Sequence, residues 1–196
     1  MTSMSNRSGW RTVDIVVAAA VAVAFGAVFV AWNGLWALST PLFTALPPAQ
    51  AVLYGVWLLP GVLVGMIVRR PGAALFGGVV SAAVSAIIGS QWGLDALISG
   101  TVQGGAAELA FALFLYRWWT LPVAVLAGAL AGMGAAIHDI VVYYPATDVT
   151  YWTIFTAGTV ASGALVAGVG GWMLLRALIA TGVLHEFAAG RDQAQV

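Results

Sequence analysis

Two carboxylates fall inside long apolar runs of this 196-residue chain. Glu108 stands near the middle of one run, and Asp139 stands toward the far end of another with His138 beside it. A carboxylate at the centre of a membrane helix costs roughly 2.5–3.5 kcal/mol on insertion scales, so each needs something that offsets it. That something is either a donor on a neighbouring helix or a bound solute. Adjacent positions on a helix point about 100° apart, so one of His138 and Asp139 faces a cavity and the other a neighbouring helix. Gln103 adds an amide one and a half turns from Glu108. Tyr54 and Trp57 are three apart and share a helix face. Trp92 and Tyr143, at the outer boundary, complete the candidate binding set. Ring faces attract a cation and carboxylates accept N–H bonds, so the set suits a planar, nitrogen-rich, cationic solute. Each of these residues also has a plainer reading as bundle packing. Asp14, Asp95 and Asp148 read as ordinary helix-end or loop carboxylates.

The elements that must position these groups follow from composition. The chain is 62% hydrophobic and 7% charged. Soluble domains carry roughly 25% charged residues, so lipid is the solvent for most of this one. Six apolar stretches approach the roughly 20 residues that a membrane crossing needs: 13–32, 51–68, 73–89, 96–116, 121–144 and 152–175. The reading is an all-α, polytopic bundle of six transmembrane helices forming one domain over residues 1–196. Arginine is the sole basic residue type, and Arg7, Arg11, Arg69, Arg70, Arg117, Arg176 and Arg191 all fall on one side of a six-span chain. The positive-inside rule makes that side cytoplasmic, so the protein is read as spanning the cell membrane with both termini in the cytoplasm. Most tryptophans sit at the two boundaries, as amphipathic rings should, but Trp57 lies about 9 Å into its span.

Residues 33–50 read as one long outer connection, broken by Pro41, Pro47 and Pro48. It either lies on the membrane surface or lids an outward-facing pocket. Small residues recur four apart in spans five (Ala124, Gly128, Gly132, Ala136) and six (Gly163, Ala167, Gly171), which marks internal packing seams. Span one carries alanine on more than one face, at Ala18 and Ala22 and at Ala20 and Ala24. A second helix, from this chain or another, can pack there.

Several functions are excluded. With a formal net charge of +0 the chain has no basic stripe for nucleic acid. It has no cysteine, no metal-ligand spacing, no nucleophile elbow and no phosphate-binding loop, so neither a metal, another cofactor nor an enzymatic role is expected.

Three stretches carry a family resemblance: Arg69-Arg70-Pro71-Gly72-Ala73-Ala74-Leu75, Val102-Gln103-Gly104-Gly105-Ala106-Ala107-Glu108 and Ser162-Gly163-Ala164-Leu165-Val166-Ala167-Gly168. With Tyr54-Gly55-Val56-Trp57 and Thr181-Gly182-Val183-Leu184, the chain resembles the YkoE family from span one to the tail. These are substrate-binding S-components of energy-coupling factor (ECF) vitamin transporters. The resemblance implies a subunit that captures thiamine or its hydroxymethylpyrimidine precursor. It implies as partners a transmembrane T-component and two cytoplasmic ATPases. It also implies that a pair of alanines four apart on helix one, Ala18 and Ala22 or Ala20 and Ala24, docks the T-component. Gly77 and Gly78 stand where relatives often carry a carboxylate, which bears on the choice of substrate. The alternative is a stand-alone secondary transporter of a small cationic or heteroaromatic solute, although the two halves of the chain share no repeat.

Overall fold

The computed structural model describes residues 9–184 and 187–191, so Arg7 lies outside the described residues. The helices are α1 (Thr12–Ser39), α2 (Gly55–Val68), α3 (Ala73–Ile88), α4 (Asp95–Leu113), α5 (Leu121–Val142), α6 (Val149–Ser162), α7 (Gly171–Ala180) and a short α8 (Ala188–Arg191). A π-helical stretch, Gly163–Gly170, joins α6 to α7 into one continuous sixth span. Among the described residues, five helical segments are long and apolar enough to cross a membrane; α3 is apolar but shorter.

α2 is the hub. Its residues from Pro60 to Val68 are all buried, as expected for a helix apolar on every side. α3 packs between α1 and α4, α4 packs on α5, and α5 packs on the sixth span. Small residues set these distances. A Cβ placed on Gly128 would lie 2.1 Å from the Gly163 carbonyl oxygen, and one on Gly132 2.3 Å from that of Thr159. The seams read in spans five and six are therefore internal, backbone against backbone.

Contacts between loops place Arg11, Arg69, Arg70 and Arg117 at one end. The Trp10 indole donates to the Pro71 carbonyl at 3.0 Å, and the Arg69 guanidinium lies 5.8 Å from the Trp119 ring centroid. At this end α2 closes on Arg69, whose φ of 56° is left-handed. Gly72, at φ 85°, then opens α3.

Two expectations are corrected at the edges of the bundle. Residues 33–50 are not one irregular connection. α1 runs on to Ser39 and is followed by two 3-10 turns, Thr40–Phe43 and Pro47–Leu53. Gln50 pins the second turn to the end of α1 by donating to the Trp36 carbonyl at 2.8 Å. Of the two alanine pairs of span one, Ala18–Ala22 is not available for docking. Ala18, Ala22, Gly26, Phe29 and Asn33 make the buried stripe of α1, and the Gly26 Cα approaches Val84 and Ser81 of α3. Ala18 and Ala22 are fully buried, so no partner reaches them, whereas Ala20 and Ala24 face outward.

Candidate solute pocket

A cleft enclosing about 540 Å³, part of it open to solvent, lies in the half of the bundle opposite these arginines. Each of the first five helices gives it a wall, and the sixth gives none. α1 supplies Phe29 and Asn33, and α2 supplies Tyr54 at its start and Trp57 a turn later. From α3 come Gly78, Ala82 and Ser85; the α3–α4 connection brings Ser90 and Trp92. α4 adds Asp95, Ser99 and Gln103, and α5 adds Asp139 and Tyr143.

One side of the cavity is aromatic. The Trp57 ring centroid lies 5.2 Å from those of Trp36 and Tyr54, and 5.3 Å from that of Trp92 at 88°. Such edge-on contacts hold each ring by its neighbours' quadrupoles. The Trp57 indole donates to Asn33 Oδ1 at 3.1 Å, and Asn33 Nδ2 donates to Ser85 Oγ at 3.4 Å. Trp57, out of place as a boundary residue, is thus fixed as a wall. Acidic groups also line the cavity. Asp139, 3% exposed, accepts from the Tyr54 hydroxyl, and Asp95 accepts from that of Tyr143. Gln103 Nε2 donates to Ser99 Oγ at 2.6 Å.

Six of the eight candidate binding residues therefore meet in one cavity: Tyr54, Trp57, Trp92, Gln103, Asp139 and Tyr143. His138 stands behind the wall, with Nδ1 2.9 Å from Asp139 Oδ1. Glu108 is elsewhere, and this is a correction. Its carboxylate accepts from the backbone N–H groups of Gly72 at 2.7 Å, Ala74 at 2.8 Å and Leu75 at 3.3 Å. The opening N–H groups of a helix lack intrahelical acceptors, and here a carboxylate from α4 satisfies those of α3 and meets its positive dipole end. Burial, with the Glu108 carboxylate beside it, pushes the Tyr116 phenol up to about 12, so it remains a donor. Glu108→Ala should lower the unfolding midpoint in detergent by an amount equivalent to about 1–3 kcal/mol, leaving solute affinity within twofold. A large loss of affinity with an unmoved midpoint would return Glu108 to the binding set.

The sequence reading missed Asn33, Asp95, Ser85 and Ser99. Asn33 carried a signal, being the one amide in the run from Asp14 to Ala49. Asp95 follows Trp92 so closely that one candidate pointed to the other. Gly78 explains the missing α3 carboxylate sterically. A Cβ there would sit 2.6 Å from the Gly100 carbonyl oxygen of α4, so no side chain fits.

Comparison with known proteins agrees with this architecture. A family model described as "ABC-type cobalt transport system, permease component" matches residues 13–134. YkoE of Bacillus subtilis (strain 168), named as an HMP/thiamine permease protein, is 30% identical over 184 residues, 93% of this chain and 92% of its own. The chain belongs to the YkoE family. A solved structure titled as an S-component of an ECF transporter superposes with a TM-score of 0.91 at 30% identity, covering 95% of this chain and 94% of that one. This YkoE-family chain is accordingly a multi-pass membrane S-component, of a class that moves solutes rather than transforming them.

Proposed function

We propose that this chain is the solute-capture subunit of an ATP-driven ECF importer, taking thiamine or hydroxymethylpyrimidine into the pocket from outside. The observation that carries the reading is that Trp57 and Trp92 line the same cavity as Asp139 and Asp95. Aromatic faces and buried acceptors together match a flat amine-bearing heterocycle with a positive charge. The name of the Bacillus relative supports the same chemistry. Mass spectrometry of small molecules released from purified, denatured protein should identify the pyrimidine or the vitamin. Recovery of an unrelated solute would refute the substrate assignment.

The exposed face of α1 fits the T-component. Ala20 and Ala24 lie outward one turn apart, next to the stripe already used against α3. Lipid gives helices no hydrophobic reason to associate, so close approach needs small side chains on the outer face. Ala20→Leu or Ala24→Leu should abolish co-purification with the T-component and ATPases, and with it uptake, while thiamine binding by the isolated subunit stays unchanged. Ion-driven uptake by the isolated chain in liposomes, without any ATPase, would favour a stand-alone transporter instead.

A further inference from the structure

His138 is buried, 9% exposed, between two carboxylates from different helices. Its Nδ1 lies 2.9 Å from Asp139 Oδ1 and its Nε2 3.3 Å from Asp95 Oδ1. The second approach is out of line for a hydrogen bond, and Nε2 is the one buried side-chain polar atom without such a partner among the described residues. The other oxygen of each carboxylate is occupied, by Tyr54 on Asp139 and by Tyr143 on Asp95. A neutral imidazole has one donor nitrogen and one acceptor nitrogen, while ionised carboxylates only accept. Whichever nitrogen keeps its hydrogen, the other holds a bare lone pair on a nitrogen within 3.3 Å of a carboxylate oxygen. One additional proton, on the ring or on a carboxyl, removes that repulsion.

Resting on the solute reading above, we propose that His138 sets the charge of the pocket: the Asp95–His138–Asp139 trio holds one extra proton when empty and releases it when a cation is captured. The cation and the proton compete for the same two carboxylates, because like charges this close cannot both be stabilised. The proton leaves to solvent by way of Asp95, whose side chain is 24% exposed and lines the cavity. Four tyrosines are set against the trio. Tyr54 faces it from α2, Tyr143 and Tyr144 from the end of α5, and Tyr151 from α6. α3 has no titratable residue, and the only one in α1 is Asp14 near its opposite end. His138 is thus a positioning residue. It need not touch the solute to decide which charge the pocket accepts.

The test is calorimetry on the full chain in detergent, titrated with thiamine, a permanent cation, in phosphate and in Tris, whose ionisation enthalpies differ. The expected result is a binding enthalpy that differs between buffers by close to one proton released. Affinity should weaken by up to about tenfold per unit of falling pH, because protons and cation exclude one another. Hydroxymethylpyrimidine, which has no permanent charge, should show a much smaller buffer dependence in the same protein. In His138→Gln the thiamine enthalpy should become independent of buffer. Equal enthalpies in both buffers for the wild-type protein, or a buffer dependence that survives in His138→Gln, would overturn the proposal. A protein that binds neither solute overturns the solute reading itself, and this inference with it.

Discussion

Gly128→Ala should yield almost no folded protein, measured as the monodisperse fraction after detergent extraction. The added methyl would lie 2.1 Å from the Gly163 carbonyl oxygen and 2.8 Å from the Gly168 nitrogen. Both are backbone atoms of the sixth span, so no rotamer change relieves the clash. Overpacking commonly costs about 1–3 kcal/mol where side chains can yield. Here the helices themselves must separate, and the cost should exceed that range. Gly105→Ala is the matched control, since nothing lies within 4 Å of its Cβ position. It should leave the yield unchanged, or raise stability by up to about 1 kcal/mol through helix propensity. If both variants fold equally well, the α5–α6 seam is not as tight as described.

The second large effect concerns binding. Asp139→Ala should weaken thiamine binding by about 100-fold or more, measured by quenching of tryptophan fluorescence. Asp139 is buried and lines the cavity, and losing one side of a buried charged contact costs about 2–5 kcal/mol, with each 1.4 kcal/mol worth tenfold. Trp57→Ala should cost about tenfold or more, since it removes the ring at the centre of the aromatic wall and leaves Asn33 Oδ1 without its donor. Unchanged affinity in a folded Asp139→Ala protein would mean that the solute binds elsewhere.

The helices, their order and their sidedness were legible in the sequence because they depend on hydropathy and on where seven arginines fall. These are properties of single residues and their neighbours along the chain. The fate of Glu108 was not. The sequence shows that a carboxylate at depth must be offset, but its partners lie 36, 34 and 33 residues away and are backbone groups. No residue type marks them. Asp95 failed in the opposite direction: a helix-end position looked sufficient to explain it, and only the packing of α4 against α5 brings it to the cavity. The alanines of α1 were visible on two faces, yet which face the bundle consumes depends on the glycine at 26 meeting α3.

α1 runs 28 residues with no proline between Thr12 and Ser39, one unbroken helix about 42 Å long at 1.5 Å per residue. Its outward alanines and its pocket residues are therefore fixed to one lever arm. From Ala20 to Asn33 the arm measures about 20 Å. A tilt of about 10° about Ala20 carries Asn33 sideways by about 3.5 Å, more than the usual hydrogen-bond range of roughly 2.7–3.2 Å. Trp57 would then lose the acceptor that aims its indole. Leaning on the lower part of this helix is mechanically the same act as unlatching the aromatic wall.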